Sequence, residues 1–289
     1  MNWHETIEYI RTKPEFDWLV QHAYFDENLV ANIDNFIQSE EFEETLKIIK
    51  NLFPDKTPKI LDVGSGNGIS AVAFALKGFD VVSVEPDPSD TIGAGAIKFL
   101  INHYQLKNIV VVQDTAEDVI FEDTDFDIVY VRQALHHAHH LDKFVSQTSN
   151  YLKKGGYYLS VRDHVIYNEK DKEQFLESHP LHKYYGGENA FTPEQYTSAM
   201  MKAGLEIISI LHHFDSVINY APLTKKEKER MQANRNSEIK TALKNKLGAF
   251  ADFPFVAYFA NMYFANKYGD VYDETKIPGR LYSIISRKK

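Results

Sequence analysis

The sequence predicts an α/β protein: a doubly wound, mostly parallel seven-stranded sheet with a helical N-terminal extension and helical cap insertions. Three observations carry that expectation. From Lys59 onward, short apolar runs alternate with helical patterns, as in successive strand–helix–strand units. The first of those runs leads straight into three alternating glycines, a strand-to-helix turn shaped to approach a ligand closely. The chain has 289 residues, 44% of them hydrophobic, enough for one large core.

Taken in order, residues 1–57 read as helices. Leu29, Ile33, Phe36 and Ile37 share one helical face, as do Phe42, Leu46, Ile49 and Phe53, until Pro54 and Pro58 stop the pattern. Residues 59–63 (KILDV) are a buried-strand candidate, followed by the glycine turn and an Ala-rich helix over 70–76. The second, third and fourth strands fall at 79–84, 109–112 and 126–131, with Ile97, Leu100, Ile101 and Tyr104 marking a helix between. A helix over 141–152 ends at Gly155-Gly156, and 157–161 gives a fifth strand. Thr192-Pro193-Glu194-Gln195 is a capped helix start. Residues 205–211 and 281–285 supply the last two strands, with helical stretches at 224–247 and 253–266 between them. The expected division is a helical extension over 1–57, a sheet domain over 58–211 and 280–289, and a helical insertion over 212–279. Extension, insertion and segment 163–190 would cap one end of the sheet.

Composition narrows the function. A net charge of −9 lacks the positive field of a nucleic-acid binder. No apolar run reaches the roughly 18–20 residues of a membrane span. The opening Met1-Asn2-Trp3-His4-Glu5 lacks the basic-then-apolar pattern of a signal peptide, so a cytoplasmic protein is expected. The absence of cysteine excludes disulfides, thiolate metal sites and thiol nucleophiles.

The most specific chemical signal is ILDVGSGNG, residues 60–68. A dinucleotide loop wants G-x-G-x-x-G, but position 69 is Ile. Asp62 precedes the first glycine by two positions; a carboxylate there is unwelcome beside pyrophosphate and suited to an ammonium group. Glu85 closes the second strand, where an acid can accept hydrogen bonds from ribose hydroxyls. Asp114-Thr115-Ala116-Glu117 follows the third strand, where an adenine edge can be read. Ammonium, ribose and adenine sites at successive strand ends describe S-adenosylmethionine. With VVSVEP (81–86), TAED (115–118), FDIVYVRQALHH (126–137) and LKKGGYYLS (152–160), the chain resembles the class I S-adenosylmethionine-dependent methyltransferases over about 59–211. The resemblance implies a Rossmann-like fold and S-adenosyl-L-methionine as cofactor, with S-adenosyl-L-homocysteine as its product. It also implies that Asp62, Gly64, Ser65, Gly66 and Gly68 hold the methionine part and Glu85 the ribose. Ala116 and Glu117 would flank the adenine, whose polar contact falls to Asp114 or Thr115. Arg132, at the end of the fourth strand, joins the cofactor-binding set.

Methyl transfer needs an aligned approach and, for an oxygen acceptor, a base. His136 and His137 follow the fourth strand and reach the crevice where strand order reverses; His164 follows the fifth. His136 and His164 are the candidate bases. Asp163 could orient the neighbouring His164 only across a bend, because adjacent strand side chains point oppositely. Residues 179–189 read as a lid in which Tyr184, Tyr185, Glu188 and Asn189, with His137, would contact the acceptor. A metal would draw on these histidines with His179, His182 and Glu188, but no compact spacing such as H-E-x-x-H occurs, so none is expected. Residues 224–246 carry eight Lys or Arg against three Glu, read as a solvated helix face in preference to an anion- or membrane-binding one. The aromatic stretch 253–264 reads as buried in the cap or at a subunit interface, which would make a homodimer. The expected activity is methylation of a small or medium acceptor at an oxygen, on a sugar or glycan precursor or a phenolic molecule. The alternatives are a non-catalytic S-adenosylmethionine sensor or scaffold and, behind it, an NAD(P)-dependent oxidoreductase.

Overall fold

The computed structural model describes residues 1–122, 125–247, 258 and 272–289. Its strands are β1 (Ile60–Val63), β2 (Val81–Val84), β3 (Ile109–Val112), β4 (Phe126–Arg132), β5 (Leu152–Val165), β6 (Leu205–Leu211) and β7 (Arg280–Lys288). They form one sheet in the order β3-β2-β1-β4-β5-β7-β6. β1 through β5 pair in parallel, and β7 inserts antiparallel between β5 and β6. The order reverses between β1 and β4. The crevice at their carboxyl ends is where ligands bind in open α/β sheets.

The helices are α1 (Trp3–Arg11), α2 (Asp17–His22), α3 (Leu29–Ile37), α4 (Glu40–Leu52), α5 (Ile69–Leu76), α6 (Ala94–Tyr104) and α7 (Leu141–Ser149). They continue with α8 (Glu169–Ser178), α9 (His182–Tyr185), α10 (Pro193–Lys202), α11 (Val217–Tyr220) and α12 (Lys225–Leu247). Strand alternation sorts the core into two layers. Ile60, Ile128 and Tyr130 pack with Phe36 of α3, Phe42 of α4 and Phe74 of α5 on one face. Leu61, Val129 and Val131 pack with Phe144 of α7 and Tyr196 of α10 on the other. Residues 1–57 therefore serve two places: α3 and α4 cover the sheet, while α1 belongs to a separate cluster with Ile92 and Leu181.

The third and sixth strands keep their expected limits; the fifth does not. It runs 14 residues, because Gly155 and Gly156 lie inside it and do not stop a helix. Phe126 pairs with Leu152, then the register shifts so that Ile128 pairs with Tyr157. A second shift falls between Ser160 and Asp163, where Arg162 adopts φ +60. This is a bulge, and it re-aims the side chains that follow. Asp127 anchors the start of β4, accepting hydrogen bonds from Lys56, the Lys59 N–H and Lys153. α12 opens with the expected capping box, the Glu227 N–H donating to Thr224 Oγ1 and the Thr224 N–H to Glu227. The aromatic stretch 253–264 falls, except for Tyr258, outside the described residues.

Candidate active site

One cavity of about 510 Å3 opens at the carboxyl ends of β1 and β4 and runs from the glycine loop to a group of histidines. That volume is typical of small-molecule sites. Its two ends are built differently.

At the glycine end, Asp62 is 1% exposed, and among the described residues nothing donates a hydrogen bond to its Oδ2. Burial pushes its carboxyl up to about 7, against the opposing pull of the Arg132 guanidinium. An orphaned buried carboxylate oxygen calls for a cationic donor, and the ammonium group of S-adenosylmethionine fits that need. Glu85 accepts the Gly66 N–H through Oε2 at 2.6 Å and the Asp87 N–H through Oε1 at 2.9 Å. It therefore clasps the loop, and burial pushes it too up to about 7. Ser65 donates to the Asp62 carbonyl and accepts from Ser83. Gly64, at φ +68, brings its Cα so near the turn after β4 that a Cβ would lie 2.5 Å from Cβ of Ala134. Gly68 caps the start of α5 beneath the cavity.

Thr115, Ala116 and Glu117 line the wall as the motif implies. Glu117 also accepts the backbone N–H groups of His139 and His140. Asp114 turns back to accept the Thr115 N–H. Arg132 lines the cavity, but its guanidinium is engaged by Glu41 of α4, at 2.6 and 3.1 Å. Burial alone would raise the Glu41 carboxyl; Arg132 and Arg162 hold it below the ordinary range.

The other end gathers residues distant in sequence. His136 is 2% exposed. Its Nδ1 lies 3.0 Å from Asp163 Oδ1, which also accepts the His136 N–H, while Ser160 donates to Oδ2. The bulge in β5 thus gives Asp163 to His136 and not to its neighbour. His164 instead points Nδ1 at the Gly279 carbonyl, 2.6 Å away. The two rings sit 4.8 Å apart edge to face, and the His137 ring lies tilted at 4.0 Å from His136. Glu188, 8% exposed, accepts a short hydrogen bond from the Tyr185 hydroxyl through Oε1, beside His179 Nε2 at 3.6 Å. Its Oε2 faces His136 Nε2 at 3.6 Å, beyond hydrogen-bond reach. Burial opposes charge on His136, but Asp163 and Glu188 outweigh it and raise the imidazole to about 9. The same pairing, against burial, holds the Glu188 carboxyl well below the usual carboxylate range.

The structure therefore brings together His136, His137, His164, Tyr185 and Glu188 on one wall. Tyr184 faces the other way, its ring against Tyr9 and Phe16, and Asn189 is likewise off the wall. Glu41, Trp3 and Phe25 belong to no motif, and Asn67 lies within the glycine motif without having been singled out. Trp3 and Phe25 line the cavity and stack edge to face, with Trp3 also against Tyr185. Asn67 donates to the Tyr24 carbonyl.

Residues 37–210 match the family described as methyltransferase domain. Over 125 residues the chain is 30% identical to an uncharacterized methyltransferase, YcgJ, of Bacillus subtilis, covering 41% of this chain and 45% of that protein. Over 142 residues it is 26% identical to a ubiquinone biosynthesis O-methyltransferase of Rickettsia prowazekii, covering 47% and 53%. The chain thus spans about half the length of the curated relatives it matches. The crystal structure of YcgJ superposes with a TM-score of 0.53 at 17% identity, covering 86% of this chain and 99% of that one. A phosphoethanolamine N-methyltransferase of Haemonchus contortus, in complex with S-adenosyl-L-methionine, gives 0.53 at 21% identity over 95% and 60%. These two share the fold. With the sheet order, the clasped glycine loop and the unpartnered Asp62 already in place, the domain match leads to one conclusion: the chain belongs to the class I S-adenosylmethionine-dependent methyltransferases.

Proposed function

We propose that the protein methylates an oxygen of a small, ring-bearing acceptor, of phenolic rather than sugar type. The observation that carries this reading is the wall opposite the glycine loop, where His136, His164 and Glu188 stand among Trp3, Phe25 and Tyr185. Bound at the glycine end, S-adenosylmethionine supplies a methyl group on a sulfonium, which needs no activation beyond alignment with the acceptor. Asp62 and the glycine loop would hold its methionine part, Glu85 the ribose hydroxyls, and Thr115 to Glu117 the adenine. The chain's remaining task is to orient the acceptor and weaken its O–H bond. His164, whose Nδ1 is held by the Gly279 carbonyl, would take the proton of that hydroxyl at Nε2, with the His136 ring beside it. Trp3 and Phe25 offer rings for stacking, and Leu19, Ile92 and Leu181 make the surroundings too apolar for a polyhydroxyl ligand. The Rickettsia relative, named as an O-methyltransferase, supports oxygen as the accepting atom.

The test is S-adenosylhomocysteine formation by the purified protein with phenols, catechols, sugar alcohols and aryl amines in parallel. Turnover with phenols or catechols is expected. Turnover confined to amines or to sugars would overturn the reading, as would cofactor binding with no turnover on any acceptor.

A further inference from the structure

We propose that His136, His164 and Glu188 form a binding site for one divalent transition-metal ion of the zinc and iron(II) class. The three side chains come from the turn after β4, from β5 and from the segment after α9. One ligand atom from each lies within 4.8 Å of the others. No short sequence spacing links them, which is why the H-x-x-x-H style of reasoning passes them over.

Hydrogen bonding prepares each group as a ligand. The Gly279 carbonyl can only accept, so His164 Nδ1 carries the proton and Nε2 is left with a lone pair. Asp163 already accepts from Ser160 and from the His136 backbone, so it too acts as an acceptor. His136 then donates through Nδ1 and turns Nε2 toward Glu188. A ligating imidazole whose other nitrogen donates to a carboxylate or a backbone carbonyl is the usual arrangement around protein-bound metals. Glu188 completes it. Tyr185 holds Oε1, and among the described residues Oε2 has no hydrogen-bond partner although it is buried. The site is therefore a set of acceptors aimed at one another.

Something positive must lie between them. A proton on His136 answers only one of the two buried carboxylates, Asp163 and Glu188, whereas a divalent ion balances both. Ligands at about 2.0–2.2 Å from a shared ion stand roughly 3.0–3.7 Å apart. His136 Nε2 and Glu188 Oε2 are already at 3.6 Å, so His164 has about an ångström to close. Two nitrogens and one carboxylate suit zinc, iron(II), cobalt(II) or nickel(II) better than magnesium or calcium. Three protein ligands leave further positions facing the cavity, the pattern of a catalytic ion rather than a structural one. For its consequence alone this inference rests on the acceptor reading above: an oxygen acceptor reaching such an ion would lose its proton more readily. Binding of the ion does not depend on that reading.

The experiment uses the full chain, stripped with a chelator and titrated with Co2+ by visible absorption, then with Zn2+ by thermal unfolding. S-adenosylhomocysteine binding is measured on the same sample. One equivalent of Co2+ with ligand-field bands of mixed nitrogen and oxygen ligation is expected, lost in Glu188→Gln and in His164→Asn. Zn2+ should raise the wild-type Tm in proportion to the logarithm of its concentration. Failure of the wild type to take up either ion overturns the proposal, as does uptake unchanged in both variants. The Zn2+ titration needs no variant, so it decides the matter even where His164→Asn fails to fold. S-adenosylhomocysteine binding without metal uptake removes the metal and leaves the methyltransferase reading standing. Absence of S-adenosylhomocysteine binding strikes that reading instead.

Discussion

The two ends of the cavity are built by opposite strategies. The cofactor end draws Asp62, the glycine loop, Glu85 and residues 115–117 from one run of some sixty residues, each at the end of a neighbouring strand. The acceptor end draws Trp3, His136, His164, Tyr185 and Glu188 from across the chain, and completes itself with the carbonyl of Gly279. The first needs only parallel strands in register to exist. The second exists only when α1, the bulged half of β5, the segment after α9 and the start of β7 have all docked. On the function proposed, cofactor chemistry is thus tied to the sheet, and acceptor chemistry to its covering.

This contrast can be broken at Glu41, which supports the cofactor end from outside its local run. Glu41→Ala leaves Arg132 buried without its carboxylate partner. Loss of about 3–5 kcal/mol of stability is expected, on the order of 10 °C in Tm by calorimetry. A melting point within a degree or two of wild type would mean that the local run supports itself.

Asp62→Asn should weaken S-adenosylhomocysteine binding by roughly 10- to 100-fold in isothermal titration, the worth of a charge-assisted hydrogen bond. The Tm of the unliganded protein should hold or rise, since an unpartnered buried carboxylate is removed. A fall in Tm would recast Asp62 as a strut of the fold. The same group predicts a pH effect. Burial pushes Asp62 and Glu85 up to about 7, above an unfolded value of about 4. Both bind protons more tightly folded than unfolded in that window, so the unliganded protein loses stability as pH rises from about 4 to 7. An ammonium-bearing ligand needs Asp62 ionised. Affinity should therefore rise over the same window, by up to about tenfold per pH unit for each proton released. A flat binding profile between about pH 5 and 7 is the contrary result.

The adjacent tyrosines give the smallest and sharpest contrast. Tyr185→Phe removes the hydroxyl that holds Glu188 and should cost about tenfold in kcat/KM with a phenolic acceptor. Tyr184→Ala removes a ring packed against Tyr9 and Phe16 and should change kcat/KM by less than about twofold. Equal losses at the two positions would show that the segment acts as a unit.

What could be read in the sequence follows the same division. Strand-end acids and alternating glycines are local, so the placement of Asp62, Glu85 and Ala116–Glu117 at neighbouring strand ends was legible. His136 and His164 were legible as histidines past strand ends, but their partners were not. Asp163 sits beside His164 in sequence yet serves His136, because Arg162 bends β5 between the paired segments. Gly155 and Gly156 look like a helix stop and lie within a strand, since positive φ at Gly155 is as compatible with a bulged strand as with a cap. Arg132 carries a charge that points toward the cofactor on paper, while Glu41, ninety residues earlier, claims it in space. Such pairings arise from tertiary docking and leave no trace in periodicity or spacing.

The carbonyl that steadies His164 belongs to a glycine at φ +60, and a Cβ placed there would meet the ring of Phe175 at 2.0 Å. Position 279 is consequently closed to mutational drift on two independent counts, backbone geometry and side-chain room. It also stands directly before β7. A substitution at this one residue would thus disturb the His164 ring that lies 4.8 Å from Asp163-bound His136. The site's chemistry therefore depends on a backbone turn far along the sequence from any motif.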